Sequence, residues 1–200
     1  MFKKISLFFK YQPTIARLTL ENELEKLLPS LGGEYILEIG AGIGNSHSLL
    51  IPHSAYVTMD ICSKATPDII GDAFSLPFRD AIFDRIIMTE VLEHCYEPKE
   101  VIKECYRVIK NGGVLILSTR FVYPIHDAPS DYYRFTENCL ERLLADFSSV
   151  KITPLGHRFG VIMDLISGDI MLLRILTRFT AYILPRNKIC PCGWLVQAVK

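Results

Sequence analysis

The sequence has no surplus of charge of either sign. Its 22 Lys and Arg residues balance 22 Asp and Glu residues, so the formal net charge is zero. Proteins that hold nucleic acid through its phosphates carry a basic surplus, so the balance argues against a nucleic-acid partner. Half of the residues are hydrophobic and 22% are charged, which disfavours disorder. The 200 residues suffice for one globular domain with a sizeable core.

The sequence also lacks a zinc-type cysteine pattern and a recognisable secretory signal. Its six cysteines are scattered, and Cys190 and Cys192 form a C-x-C rather than a C-x-x-C. We therefore expect no metal site. The stretch "MFKKISLFFK" has a basic start, but Lys10 interrupts its short apolar run and no small-residue cleavage site follows. Reduced thiols and a cytoplasmic location are the expectation.

Short apolar runs separated by helical patterns predict an α/β fold with a mostly parallel sheet. The runs that predict strands buried on both faces are "YILEIG", "AYVTMDI", "PDIIGDA", "FDRIIMTEV" and "GVLILSTRF". "SSVKITPL" and "GWLVQAVK" predict two further strands. Helices are predicted at 14–28, in "PKEVIKECYRVIKNGG", whose glycine pair suits a C-cap, and in "TENCLERLLADF", where Thr136 is the N-cap.

Two connections between the predicted strands are short, which makes this a compact fold. Fifteen residues separate Gly44 from Asp60, and 11 separate Asp60 from Asp72. A full crossover helix needs about a dozen residues. We therefore expect the first crossover helix to be clipped, helped by Pro52, and the second to be absent or a single turn.

Glycines occupy alternate positions where the first predicted strand ends, in "YILEIGAGIGNS". Gly40, Gly42 and Gly44 allow a tight turn whose backbone N–H groups can face a ligand. The dinucleotide fingerprint G-x-G-x-x-G would place its third glycine at position 45, which is Asn45. With Glu38 beside it, the loop suits a ligand that carries a cation better than one that carries phosphates. A glycine-rich turn without a ligand is the alternative.

Carboxylates end the next two predicted strands. Asp60 closes "VTMDI", where it can accept hydrogen bonds from ribose hydroxyls, and Asp72 closes "IIGDA", where it can read the amino edge of adenine. Asp60 alone is equally well interpreted as a solvated strand-end residue, and for Asp72 alone that interpretation is favoured. Because parallel strands end at one edge of the sheet, the acidic series together favours a ligand there.

Five motifs in order resemble the class I S-adenosylmethionine-dependent methyltransferases. They are "LEIGAGIG", "MDI", "GDAFSLPFRDAIFD", "IIMTEVLEH" and "RVIKNGGVLILST", and they cover about residues 33–121. The third looks closest to the small-molecule branch with the signature "GDA..LPF.D..FD". The resemblance implies a Rossmann-like sheet of seven strands, the last antiparallel. The single domain 1–200 would comprise a helical segment 1–32, a cofactor-binding core 33–158, an apolar helical insertion 159–189 and a final strand 190–200.

The resemblance also implies S-adenosylmethionine as the cofactor and assigns residues to it. The glycine loop would form the floor under the methionine and ribose, and Glu38 would sit near the cofactor's amino group. Asp60 would bind the ribose, and Ile61 would pack on adenine. The short region 61–71 departs from the family's fuller crossover. The implied cofactor-binding residues are Glu38, Gly40, Ala41, Gly42, Gly44, Asp60, Ile61, Asp72, Ala73, Thr89 and Glu90.

The loop 121–136, "FVYPIHDAPSDYYRFT", leaves the carboxyl end of the fifth predicted strand, so we expect it to lie over the cofactor's methyl group. It resembles the "P.H..P.DY.R.T" loop of methyltransferases found with sugar and surface-polysaccharide biosynthesis. We interpret His126 or Asp131 as the base, or as the group that orients the acceptor. An ion pair between Asp131 and Arg134 that pins the loop is the alternative. The candidate substrate-binding residues are Tyr132, Arg134 and His94, the last of which is otherwise a structural histidine.

The segment 159–184 is apolar and long enough to span a bilayer. Four charges interrupt it, and each would cost about 2.5–3.5 kcal/mol at mid-membrane. We therefore expect a helical lid or a dimer surface, with a peripheral membrane helix as the third reading. The interrupting charges are Asp164, Asp169, Arg174 and Arg178.

The leading hypothesis is a methyltransferase that acts on a small molecule, such as a sugar or a lipid-linked precursor. Methyl transfer from a sulfonium is an in-line displacement, for which the protein mainly aligns the reacting atoms. A non-catalytic interaction protein that keeps the fold is the alternative. A nicotinamide-dependent oxidoreductase is disfavoured by Asn45, and a nucleic-acid methyltransferase by the lack of a basic patch. The acceptor and the methylated atom stay open.

Overall fold

All seven predicted strands form, and they lie in one sheet. The computed structural model describes residues 14–43, 46–126, 130–167 and 188–200. The strands are β1 (Gly33–Ile39), β2 (His53–Asp60), β3 (Ile69–Ile70), β4 (Phe83–Thr89), β5 (Ile109–Arg120), β6 (Ser149–Leu155) and β7 (Gly193–Val199). The helices are α1 (Ile15–Leu27), α2 (Pro98–Val108), α3 (Glu137–Leu143) and α4 (Arg158–Ser167).

The strand order is β3-β2-β1-β4-β5-β7-β6. Strands β1 to β5 pair in parallel, and β7 runs antiparallel to both β5 and β6. The Rossmann-like, mostly parallel fold with an antiparallel last strand is therefore confirmed. The order reverses between β1 and β4, and ligands of such sheets bind outside the carboxyl ends of the strands at that point.

Both faces of the sheet are covered, which explains the nearly continuous apolar runs. Leu37 and Ile39 of β1 belong to the larger core cluster, which includes residues of α2 and α3. Ile36 points to the other face, where it packs with Leu20 and Leu24 of α1. Side chains alternate along a strand, so neighbouring residues of β1 serve two separate layers.

The two short connections carry little helix. The described residues between β1 and β2 form turns, and a single 3₁₀ turn, Ser63–Ala65, connects β2 to β3. The second connection is as predicted. The first shows no clipped helix within 40–43 and 46–52, because the 13 residues of the connection 40–52, which include Pro52, also have to reach β2.

The glycine pair after α2 does not cap that helix, contrary to the sequence prediction. The helix ends at Val108, and β5 begins at the next residue. Gly112 has a φ of +76° and donates its N–H to the Lys200 carbonyl at 2.9 Å. A Cβ on Gly113 would lie 3.0 Å from the Asp84 carbonyl oxygen, so these glycines serve an irregular start of β5.

The described part of the apolar insertion is α4, which is helical as predicted; residues 168–184 of the segment lie outside the described residues. Asp164 of α4 accepts hydrogen bonds from the N–H groups of Ile15 at 2.9 Å and Ala16 at 3.1 Å. These are first-turn donors of α1, which have no partner within their own helix. This charge therefore ties two helices together. In the described ranges, no helix has the length and apolarity to cross a membrane.

Candidate active site

The turn after β1 is built on two left-handed glycines. Gly40 has a φ of +72° and Gly42 a φ of +61°, and residues other than glycine adopt these backbone conformations only at a cost in free energy. A Cβ on Gly40 would overlap the Val91 side chain. Glycine is therefore favoured at position 40 for two reasons, the left-handed backbone and the close packing of the Val91 side chain. Gly44 lies outside the described residues.

Asp60, at the end of β2, is bonded to the glycine turn. Its Oδ2 accepts the Gly42 N–H at 2.9 Å, and its Oδ1 accepts the Cys62 N–H at 2.8 Å. Asp72 makes a similar local turn, because its Oδ1 accepts the Phe74 N–H at 3.0 Å. Both carboxylates are thus fixed at the sheet edge by backbone donors of their own or the neighbouring loop.

A pocket of about 330 Å³ opens at this edge of the sheet. Its walls come from the segments that follow β1, β2, β3 and β4, with part of the loop after β5. Predicted cofactor residues that line it are Gly40, Asp60, Ile61, Asp72, Ala73 and Glu90; the predicted substrate residues His94 and Tyr132 line it as well.

Part of the pocket wall was missed by the sequence reasoning. Phe74 and Tyr96 stand with ring centroids 4.5 Å apart, and Val91 and Cys95 complete that side. Phe74 follows directly after the recognised "GDA", and Tyr96 follows "EVLEH". Their place after two strand ends was therefore an available signal.

Glu38 does not line the pocket. It is 1% exposed, its Oε1 lies 2.6 Å from His47 Nδ1, and its Oε2 accepts the Tyr56 hydroxyl at 2.9 Å. Burial and the Glu38 carboxylate raise the pKa of Tyr56. Glu38 shares the β1 face of Ile36, so its side chain holds the segment after the glycine turn from below.

The other predicted residues in the turn after β1 and at the end of β4 also include some that line the pocket and some that do not. Ala41 and Thr89 are buried and are not among the pocket-lining residues. Glu90 lines the pocket and has a φ of +57°. It forms ion pairs with Arg17 of α1 and with Arg120 at the end of β5. The partners of these two ion pairs are 73 and 30 residues apart in sequence, so no local sequence pattern predicts either pair.

Asp131 and Arg134 form the ion pair that the sequence analysis kept as an alternative. The Asp131 side chain is 2% exposed, and both of its oxygens accept from the Arg134 guanidinium. Arg134 holds the pKa of Asp131 well below its usual range. A carboxylate this strongly paired is a poor proton acceptor, so the geometry favours a positioning role over that of a base. Arg134 is likewise turned to this partner and not to the pocket.

His126 is the residue that Asp131 positions. Asp131 Oδ2 accepts the His126 backbone N–H at 3.0 Å and lies 3.2 Å from its Nδ1. The His126 ring also packs edge-on against His94, with centroids 4.8 Å apart. Burial lowers the pKa of His126, which favours the neutral imidazole. Asp127 lies outside the described residues.

The loop is fastened to the segment after β4. The N–H groups of Tyr132 and Tyr133 donate to the Glu93 carbonyl at 2.9 and 3.3 Å, and the Tyr133 hydroxyl donates to the Tyr96 carbonyl at 3.0 Å. His94 Nδ1 lies 3.0 Å from the Ser130 carbonyl. These bonds bring His94 and Tyr132 together at one end of the pocket. His126 packs against His94 but is not itself among the pocket-lining residues.

Comparison with known proteins agrees with this geometry. Residues 37–117 match the sequence family described as "Methyltransferase domain". With the seven-stranded sheet and its antiparallel last strand, this match supports the resemblance to the class I S-adenosylmethionine-dependent methyltransferases, whose fold the chain shares.

Curated relatives cover the chain to different extents. The malonyl-[acyl-carrier protein] O-methyltransferase of Herminiimonas arsenicoxydans is 31% identical over 120 residues, which are 54% of this chain and 46% of that protein. The ubiquinone biosynthesis O-methyltransferase of Coxiella burnetii is 27% identical over 175 residues, 68% of this chain and 74% of that protein. The chain thus spans about half the length of the first of these relatives.

Solved structures share the fold. An S-adenosylmethionine-dependent methyltransferase from Archaeoglobus fulgidus superposes with a TM-score of 0.65 at 17% identity, over 98% of this chain and 99% of that one. Phosphoethanolamine N-methyltransferase 2 of Haemonchus contortus, solved with S-adenosyl-L-methionine, gives a TM-score of 0.61 at 17% identity, over 90% of this chain and 52% of that one.

Proposed function

We propose that this protein transfers a methyl group from S-adenosylmethionine to a small-molecule acceptor. The observation that carries the proposal is the convergence of three cofactor-type groups on one pocket: Gly40 in the turn, Asp60 at the end of β2 and Asp72 at the end of β3. Asp60 would exchange its bond to the Gly42 N–H for the ribose hydroxyls. Two curated relatives are named as O-methyltransferases, one of malonyl-[acyl-carrier protein] and one of ubiquinone biosynthesis. These names support a small-molecule acceptor.

On the acceptor side we assign His126 as the base and Asp131 as the group that orients it. His126 Nδ1 lies 3.4 Å from the Pro124 carbonyl oxygen and 3.2 Å from Asp131 Oδ2. Both of these oxygens are acceptors, so the ring hydrogen is held on Nδ1 and Nε2 carries the lone pair. For a hydroxyl acceptor, Nε2 would take the proton as the acceptor oxygen bonds to the methyl carbon that the cofactor supplies. The bond between that carbon and the cofactor sulfur would break in the same displacement, which would leave S-adenosylhomocysteine neutral at sulfur. Tyr132 and His94 line the acceptor end, and Arg134 positions it through Asp131.

A sugar or a lipid-linked precursor is the acceptor class that we propose, because the loop 121–136 resembles the loop of methyltransferases of sugar biosynthesis. An apolar surface on α4 supports peripheral membrane contact or a homodimer through 159–184, in a cytoplasmic protein. Phe159, Ile162, Leu165 and Ile166 are each between 44 and 61% exposed. Co-sedimentation with liposomes, together with sedimentation equilibrium, separates these two uses of α4.

Calorimetric titration with S-adenosylmethionine and S-adenosylhomocysteine tests the cofactor part of the proposal. We expect micromolar binding that Asp60→Ala weakens and that Asp146→Asn, an exposed aspartate away from the pocket, leaves unchanged. No binding of either ligand would overturn the proposal and favour a non-catalytic protein that kept the fold. The acceptor side is tested by turnover of His126→Ala and Asp131→Asn; full turnover in both would remove them from the mechanism.

A further inference from the structure

We propose that Glu93, His94 and His126 bind a divalent transition-metal ion at the acceptor end of the pocket. Each of the three offers one ligand atom, and these atoms all lie within 4.8 Å of one another. Two imidazoles and one carboxylate form a donor set that suits Zn²⁺, Fe²⁺, Co²⁺ or Ni²⁺. The proposal departs from the sequence expectation of no metal site, because His126 is 32 residues from His94 and the loop after β5 brings them together.

Both histidines are held in the manner of metal-bound imidazoles. His94 Nδ1 lies 3.0 Å from the Ser130 carbonyl, and His126 Nδ1 lies 3.2 Å from Asp131 Oδ2. An oxygen acceptor at Nδ1 takes the ring hydrogen and leaves the lone pair on Nε2. Metal-bound histidines almost always donate their second nitrogen to a carboxylate or a carbonyl, which fixes the tautomer and the ring.

Glu93 supplies an independent sign of a ligand. Its side chain is fully buried, and its Oε2 accepts the Thr119 hydroxyl at 2.9 Å. Its Oε1 is also buried but has no hydrogen-bond partner among the described residues. An unpaired buried carboxylate oxygen is costly, and a cation bound to it would remove that cost.

The charges around the cluster leave room for a cation. Arg134 is paired with Asp131, and Arg120 with Glu90. Each of these guanidinium groups therefore makes its direct ion pair with a carboxylate other than Glu93. A divalent ion would turn a buried negative charge into a compensated site.

A bound ion would also have a role in the proposed methyl transfer. That role rests on the proposed function, whereas the binding of the ion does not. His94 lines the pocket, so a bound ion would meet the acceptor there. A metal-bound hydroxyl has a lowered pKa, so an ion in this place would do the work assigned above to His126 as base. Methylation of an oxygen acceptor should then need the metal, whereas binding of the ion itself should not need the cofactor.

The site is tested directly by titrating metal ions into protein from which a chelator has first removed any bound metal. We expect one equivalent of Co²⁺ to bind with a visible d–d spectrum, and Zn²⁺ to displace it. His94→Gln and His126→Gln, both at partly exposed positions, should each weaken Co²⁺ binding at least about tenfold, and Asp131→Asn by about 10- to 100-fold through the histidine it holds. His53→Gln, at the far end of β2, should bind Co²⁺ normally.

Absence of stoichiometric Co²⁺ or Zn²⁺ binding, or binding unchanged in both histidine variants, would overturn the proposal. S-adenosylmethionine is titrated into the same samples. Cofactor binding without metal binding would leave the proposed function standing and end the metal proposal. Metal binding without cofactor binding would do the reverse. Glu93→Gln is judged only if its circular dichroism and melting match the parent, because its side chain is fully buried.

Discussion

Asp60 at the end of β2 and Gly42 in the turn after β1 are joined by one hydrogen bond of 2.9 Å, from the Gly42 N–H to Oδ2 of Asp60. The same carboxylate holds the Cys62 N–H through its other oxygen. One side chain therefore fixes the loops of two neighbouring parallel strands. A ligand with two hydroxyl donors can replace the backbone donors without leaving the carboxylate unpaired.

Replacing Asp60 should weaken cofactor binding more than folding. Asp60→Ala removes both acceptors, each worth about 1.5–3 kcal/mol as a bond to a charged group, so we expect the Kd for S-adenosylhomocysteine to rise at least about tenfold. Asp60→Asn should give a smaller rise because it keeps one oxygen acceptor. Calorimetry gives the affinities, with Asp146→Asn as the control. Equal affinity in Asp60→Ala and the parent would show that the ribose does not bind here.

Gly40→Ala should destabilise the fold through two separable effects. A left-handed residue with a Cβ costs about 1–2 kcal/mol, and the overlap with Val91 adds about 1–3 kcal/mol. Adding Val91→Ala should recover the second part and not the first. Urea unfolding of the two single variants and the double variant measures this. If Val91→Ala gave no recovery, the overlap would not be the source of the strain.

Glu38→Gln should lower stability with a lesser effect on cofactor affinity. The amide brings a donor toward His47 and Tyr56, which both donate to Glu38, so we expect a loss of about 1–3 kcal/mol. Glu34→Gln, an exposed glutamate of the same strand, is the matched control. Thermal melting and calorimetry are the measurements. A large affinity loss with unchanged melting would instead place Glu38 in contact with the cofactor.

Asp84→Asn should destabilise the protein at neutral pH and matter less in acid. Asp84 accepts the backbone N–H groups of Glu34 and Tyr35 and pairs with Lys110. Although burial opposes it, these partners lower the pKa of Asp84 below its ordinary value of 3.8. Its contribution, about 1–2 kcal/mol, is therefore present above pH 3.8 and lost as the pH falls through the lower folded-state value.

Urea unfolding of Asp84→Asn and the parent between pH 7 and pH 3 checks this expectation. The difference in free energy of unfolding should shrink toward the acid end of the range. Asp146→Asn, at an exposed position, should follow the parent at every pH. A difference that stayed constant down to pH 3 would mean that Asp84 stabilises the fold by packing rather than by its charge.

The strands were predictable because they appear as apolar runs, which are clearest in β1, β4 and β5, where consecutive residues are buried. The glycine pair at Gly112 was misjudged because a helix C-cap and an irregular strand start need the same left-handed backbone. At the site, sequence position located Asp60 and Asp72 at the pocket, since strand ends converge. It did not show that Glu38 faces the other layer, although the alternation with Leu37 and Ile39 contains that information.

Long-range pairing accounts for what remained hidden. Arg17 reaches Glu90 from α1 and Arg120 reaches it from the end of β5, and no local sequence pattern links the three residues. Likewise, Asp131 and Arg134 are close in sequence, but their pairing was one of two equal readings until the fold gave Asp131 a buried position. Tertiary contacts between polar side chains depend on geometry that composition and periodicity do not encode.

Both edges of the sheet resist growth by another chain. β3 has two residues, and beside it the Asp68 carboxylate accepts the Thr58 N–H at 2.8 Å on the outer side of β2. At the other edge, β6 carries Lys151 and also Pro154, which has no N–H to offer. One edge strand thus carries a charge and a proline, and at the other edge a carboxylate occupies a free backbone N–H group. These features protect the sheet against edge-to-edge aggregation. We therefore expect the protein to stay monodisperse at concentrations at which sheets with unprotected edges aggregate.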